Sequence, residues 1–209
     1  MNDLVSDEMV RGLPLLKFKN EHLCAACECG KQSKKGHPVI IEKSISEPLE
    51  LLYIDLCGLS TVESLHHKKY ILVIVDDFTR FTWVFFLRLK SETASELINF
   101  IKGIEVLIKL PVRRIQSDNG SEYTHSTIEK FLTKKEIDHN FSAPYTPQQN
   151  GVVERCNRTL VEAARSMLNF ANLPLYLWAV GVSTACFYQN RSIINRRLNM
   201  TPYEAMNGR

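Results

Sequence analysis

The sequence has no run of the roughly 20 apolar residues that a membrane-spanning helix needs, so no membrane partner is expected. Its first residues, Met-Asn-Asp-Leu-Val-Ser-Asp-Glu, lack the basic and apolar regions of a signal peptide, and an intracellular protein is expected. There is no internal repeat and no low-complexity tract. Charge of one sign is also scarce: the formal net charge is +3, too small to imply a nucleic-acid partner on its own. Six cysteines are present, but their pattern is not a disulfide framework. Cys57, Cys156 and Cys186 are scattered through apolar or helical segments, where a free Cys is usually a small buried hydrophobe. Cys24, Cys27 and Cys29 cluster, which inside a cell points to metal before disulfides.

What is present is an ordinary globular composition, 44% hydrophobic and 23% charged over 209 residues, enough for one core with flanking pieces. The charge is unevenly placed. From Arg155 to Arg209 there are seven Arg against only Glu162 and Glu204, a skew that suits phosphates lying along that segment and equally suits a solvated surface. Residues 1–47 are polar and Lys-rich and show no alternation long enough to build a core. A separate N-terminal piece, 1–47, is therefore expected before a folded domain, 48–209.

Within that domain the periodicities predict a buried strand over 49–56, stopped by Gly58, then a hairpin of strands 70–75 and 82–87. A helix is predicted over 92–109, with Ser91 or Thr93 as its cap and Leu97, Ile98, Ile101, Ile104 and Ile108 as its apolar face. Strand 112–117, helix 126–136 and strand 138–143 follow. A loop over 144–151 leads into a long helix, 152–171, whose stripe reads Val153, Leu160, Ala164, Met167 and Ala171. A last helix, 175–191, carries Trp178, Val182, Ala185 and Phe187. The order predicts an α/β domain with a mixed sheet.

Asp55 falls near the end of the first strand, Asp118 at the tip of a later one, and Glu154 in the first turn of the long helix. Open α/β sheets gather ligands at such positions. Singly, each acid has an ordinary explanation: a strand-end cap, an Asp-Asn-Gly turn, or a charge complementing a helix dipole. Together they differ, because an Asp inside Leu-Leu-Tyr-Ile-Asp-Leu is expensive to bury without a cation or donors. Converging carboxylates call for a hard divalent ion such as Mg2+. Asp76 and Asp77 are read as strand-end and turn acids, Glu122 as either a neighbour of the ligand acids or a surface residue, and His66 and His67 as surface residues.

These residues also carry a resemblance. Ile-Gln-Ser-Asp118-Asn-Gly-Ser-Glu-Tyr resembles the second acidic motif of retroelement integrases, and 35 residues separate Asp118 from Glu154, the D,D-35-E spacing of that superfamily. Ala-Pro-Tyr-Thr-Pro-Gln-Gln-Asn-Gly-Val-Val-Glu-Arg-Cys-Asn-Arg-Thr-Leu around Glu154 is similar to the copia-type retrotransposon form. So are Val-Asp-Asp-Phe-Thr-Arg-Phe-Thr-Trp-Val at 75–84 and the ending Thr-Pro-Tyr-Glu-Ala-Met-Asn-Gly-Arg. The resemblance implies an RNase H-like fold, a mixed five-stranded sheet flanked by helices. It also implies DNA 3′-end processing and strand transfer at one site with two Mg2+ (or Mn2+) ions. In that reading Asp55 bridges both metals, Asp118 ligates one and Glu154 the other. Gln148, Gln149 and Asn150 would position the DNA end. Arg158 lies one turn beyond Glu154 and Arg165 two turns further, so both can reach phosphates, while Arg155 is about 100° round the helix.

Further expectations follow from the resemblance. The partners are DNA, both element ends and target, and a homo-oligomer holding two ends together, with action in the nucleus. Cys24 and Cys27 resemble the second half of a zinc module whose paired His would lie upstream. Two Cys do not close a structural Zn2+ site; His22 and Cys29 could substitute, but His22-x-Cys24 is tighter than usual zinc spacing, so intrinsic zinc binding is not expected. Cys156 stands where Lys is common in the copia type, an expected loss of one phosphate contact. The chain reads as a fragment of a polyprotein or a truncated genomic copy. Two rival readings are an RNase H-like nuclease and a truncated, non-catalytic DNA-binding remnant.

Overall fold

The computed structural model describes residues 45–58, 62–120, 122–124, 126–142 and 150–208. Their centre is β1, Leu51–Gly58, which pairs antiparallel with β2, Tyr70–Asp76, and parallel with β4, Arg114–Ser117. The strand β3, Thr82–Leu87, extends the hairpin, and β5, Asp138–Phe141, runs parallel to β4 at the other edge. The five-stranded order is β3-β2-β1-β4-β5, the expected mixed sheet. Inner strands buried on both faces read as continuous apolar runs, and Leu51 to Ile54 are all buried.

Alternation along β1 separates two cores. Leu52 and Ile54 point into a cluster with Leu72, Ile74, Ile115 and the inner residues of α1, Thr93–Ile108, and α2, Ser126–Lys135. Leu51 and Tyr53 point the other way, towards α3, Gly151–Phe170, and α4, Trp178–Ser192. Asp55 continues this second face, so side-chain parity alone aims it at α3. Ile45 is also buried there, and its carbonyl accepts from Arg197 Nη2 at 2.5 Å, so the folded core reaches back before residue 48. Among the described residues, no helix is long and apolar enough to cross a membrane.

Several expectations change in detail. Neither Ser91 nor Thr93 caps α1: its N-cap is Glu92, without a side-chain cap, and Ser91 belongs to a single 3-10 turn, Lys90–Glu92. The inner face of α1 uses Phe100 beside Leu97, Ile101 and Ile104, leaving Ile98 and Ile108 half-buried. On α3 the stripe closes on Leu168; Met167 is half-buried and Ala171 lies exposed beyond the helix. Phe187 of α4 points outward at 53% exposure, where Arg191 stacks between it and Tyr203, 3.9 and 4.2 Å from the two ring centroids. A short helix absent from the sequence reading, α5, Pro202–Asn207, starts at a capping box: Thr201 Oγ1 accepts from Glu204 N, and Glu204 Oε2 accepts from Thr201 N. The Thr201-x-x-Glu204 spacing was its available signal.

Candidate active site

Asp55, Asp118 and Glu154 reach the same end of the sheet from three elements. Asp55 is half-buried on β1, Asp118 follows the last residue of β4 and is exposed, and Glu154 is exposed in the first turn of α3. They act on one another: Asp55 is pushed up to about 6, first by burial, then by the negative charge of Asp118, with Glu154 adding to it. Against these stands a hydrogen bond from Asn157 Nδ2 to Asp55 Oδ2. Among the described residues, no group of three or more His, Cys, Asp or Glu is arranged to hold a metal ion. The carboxylates thus share an electrostatic field without forming a common ligand shell. Like charges this near each other close in only when a cation offsets them.

Asn157, absent from the sequence reading, is buried at 6% exposure. Its signal was present: it follows Glu154 by three on a helix, which puts it on the adjoining part of the same side. Glu122, expected either beside the ligand acids or on the surface, is not a surface residue: its side chain is only 9% exposed. It folds over Gly120: a Cβ on Gly120 would lie 2.8 Å from Glu122 Cδ and 3.1 Å from Asp118 Oδ1. A side chain at Gly120 would therefore displace the Glu122 carboxylate, and the Gly120 N–H donates to Asp118 Oδ1 at 3.2 Å. Lys90 Nζ is 3.8 Å from the Glu122 carboxylate.

The remaining acids behave as turn formers. Asp76 is buried and accepts from Leu49 N, Thr79 N and Thr79 Oγ1 at 2.8, 2.8 and 2.6 Å. Asp77 pairs with Arg80 at 3.0 Å. His66 and His67 are exposed, and His67 meets Glu63 at 2.8 Å.

The residues expected at DNA divide. Arg158 and Arg165 are exposed on α3. Arg165 lies close enough to Cys57 to oppose the upward push that burial and Asp55 give that thiol. Arg155 is exposed but folds back, its Nε donating to Gly151 O at 2.9 Å. Asn150 is 2% exposed, with neither side-chain polar atom hydrogen-bonded. It is an inward-facing residue at the start of α3, and a direct contact with DNA would require it to turn out. Gln148, Gln149, Cys24 and Cys27 lie outside the described residues.

Cys156 corrects another expectation. It is buried, with Thr82 Oγ1 at 3.4 Å and Gln189 Nε2 at 3.2 Å. The position faces β3 and α4, so no phosphate contact is lost by having Cys there. Burial raises this thiol, and Cys186 is pushed up to about 12, mainly by burial.

Comparison with known proteins places this geometry. The family model described as "Integrase core domain" matches residues 46–147, a span that includes Asp55 and Asp118 and ends before Glu154. The chain is 38% identical over 169 residues, 81% of its length, to the retrovirus-related Pol polyprotein from transposon TNT 1-94 of Nicotiana tabacum. It is 31% identical over 195 residues, 91% of its length, to that from transposon RE2 of Arabidopsis thaliana. It spans only 13% of the length of each of these relatives. Among solved structures, the HTLV-2 integrase catalytic core domain in complex with magnesium, in its trimeric form, aligns at a TM-score of 0.57 and 20% identity. That match covers 77% of this chain and 98% of the other. A simian T-cell lymphotropic virus intasome in complex with the PP2A regulatory subunit B56 gamma aligns at 0.64 and 22% identity, covering 89% and 64%. At these identities the structural matches establish the fold alone, RNase H-like with a mixed five-stranded sheet flanked by helices.

Proposed function

The chain carries an integrase core domain of the copia-type retrotransposon Pol polyproteins, and on that premise we propose that it is a polynucleotidyl transferase that trims the 3′ ends of the element's DNA and joins them to target DNA. The chief support is the state of Asp55, a half-buried carboxylate held up near 6 by burial and by Asp118 and Glu154. Such a set of acids is stabilised by positive charge brought among them. In chemistry the donors fit a hard divalent cation, and Asp55, Asp118 and Glu154 are the residues that would hold it. Two bound Mg2+ or Mn2+ ions would supply the Lewis acidity for in-line displacement at phosphorus.

The chain's own groups have separable tasks in this reading. Asn157 fixes one oxygen of Asp55 and so sets the direction of the other. Arg158 and Arg165, exposed along α3 beyond Glu154, neutralise phosphates and set the register of the DNA. Among the described residues no thiol is suited to act as nucleophile, because burial raises Cys57, Cys156 and Cys186 and so disfavours the thiolate. Water attacks in the first step and the freed 3′-hydroxyl in the second. The wider assignments belong to the same proposal: a core domain that takes in residues from 45 onward, the segment before it as a remnant of a zinc module and linker, assembly into oligomers on paired DNA ends, and work in the nucleus.

The test is to incubate the full chain with labelled duplex ends, a target plasmid, and Mg2+ or Mn2+. Joined product is expected, and Asp118→Asn should lower it at least about 100-fold through the lost ligand. Nicked strands alone would indicate the nuclease, absence of both the non-catalytic remnant, and product unaffected by Asp118→Asn a different site.

A further inference from the structure

At the edge of the sheet opposite β3, β5 has a neighbouring strand on one side only. Asp138 N donates to Arg113 O and Ser142 N to Ser117 O, both at 2.9 Å. Along a strand the main-chain groups alternate in direction with a period of two. The N–H and C=O groups of His139 and Phe141 therefore point away from β4, into the open edge. Among the described residues neither finds a main-chain partner there. Their side chains are fixed: His139 Nε2 lies 2.9 Å from Ser117 Oγ, and its ring is 4.2 Å from that of Phe141. The strand carries neither Lys nor Pro, residues that commonly block such an edge.

A groove of about 560 Å³ runs between this edge and α2. Tyr123, Leu132 and Ile137 form its buried apolar wall, and Phe141, 40% exposed, stands beside them. The charged residues of the lining are Glu129, Glu136 and Asp138, with no Lys or Arg among them. All three are exposed, and none is in an ion pair with another described residue. Lys135, at the end of α2, is drawn instead to Glu105 at 2.6 Å.

We propose that β5 and this groove dock an extended segment of a partner protein, added to the sheet as a further strand. The segment places an apolar side chain in the groove and a Lys or Arg two residues to either side of it. Main-chain pairing at an open edge supplies affinity, and pockets for alternate side chains supply the choice of sequence. Side chains two apart share a face, so the apolar residue meets Leu132 and Ile137 while the cations meet the three acids. An acidic segment would be repelled by the same groups. Between β5 and β1, which carries Asp55, lies β4, so this surface stands apart from the reading of the acidic site.

The probe is a synthetic peptide, acetyl-Thr-Lys-Thr-Leu-Thr-Lys-Thr-amide, whose Lys, Leu and Lys fall on one face of a strand. It would be titrated against the full chain by fluorescence anisotropy, with amide hydrogen exchange followed by nuclear magnetic resonance. Binding is expected, with exchange slowed at the His139 and Phe141 amides. Replacing both peptide Lys by Glu, or making Glu136→Lys in the protein, should weaken binding at least about tenfold. A fully N-methylated peptide keeps the charges but not the N–H groups, and should not bind. If Glu136→Lys melts below the parent, the peptide comparisons on the parent protein decide. No binding of the probe, binding without protection of those two amides, or equal binding of the acidic or N-methylated peptide would each overturn the proposal. So would amides already protected in the protein alone, since another part of the chain or a second copy would then hold the edge.

Discussion

Asp55 illustrates how one residue can be costly to the fold and central to its chemistry. Its ordinary value, 3.8, rises to about 6 because burial and neighbouring acids oppose its charge. Between those values the folded chain keeps a proton that the unfolded chain has released, so stability must fall as pH rises from about 4 to about 6 and then level off. Metal-free melting curves across that range should show this loss in the parent protein. It should be smaller in Asp55→Asn, which keeps an acceptor for Asn157 but no titration; equal slopes in the two proteins would show that Asp55 is not the group concerned. Asp76, also raised by burial, contributes in the same direction to both and cancels in the comparison. The type of Asn157 does not suggest metal chemistry, and it gains its place in the site from the Asp55 carboxylate it is set beside.

Among the elements, α3 carries most of the site, presenting Glu154, Asn157, Arg158 and Arg165 while burying Val153, Leu160, Ala164 and Leu168. Its direction is fixed by the crossing with α4, where a Cβ on Gly181 would lie 3.2 Å from Ala164 Cβ and 3.4 Å from its Cα. Gly181 is therefore a contact residue, and its lack of a side chain lets the two helices approach. Gly181→Val should cost about 1–3 kcal/mol by overpacking, read by denaturant melts, and should displace Glu154 with the helix. A variant as stable as the parent would mean the crossing is loose. The other anchor of α4 is Asn190, whose side chain accepts from Thr82 N at 2.9 Å and donates to Thr82 O at 2.8 Å. This pairing joins α4 to β3 at a point where no periodicity could have indicated it.

For the whole molecule, the sheet separates two cores, and its β1 end is covered on one side by α3 and flanked by the turn after β4. Positive charge collects in the sequence after Glu154, and α3 brings Arg158 and Arg165 of that segment to the exposed surface. If DNA lies there, affinity should fall steeply with salt. Arg158→Ala should weaken binding similarly across sequences and reduce the slope of log K against log salt by about 1. An unchanged slope in fluorescence titrations would remove Arg158 from the interface.

The sequence by itself determined the order and kind of nearly every major element, because strands buried on two faces and helices buried on one leave different apolar periods. It also singled out Asp55, Asp118 and Glu154, since motif and spacing are properties of the chain. What it left open was decided by direction. Cys156, Asn157 and Phe187 sit on helices correctly expected, yet which of them meets the sheet, an acid or solvent depends on the crossing of α3 and α4. Asn150 turned inward and Glu122 folded over Gly120 for the same reason: a side chain's surroundings are assembled from segments far apart in sequence. Only the tertiary structure brings the Asn157 amide to the Asp55 carboxylate, because burial and electrostatic coupling exist only between groups that folding has placed together.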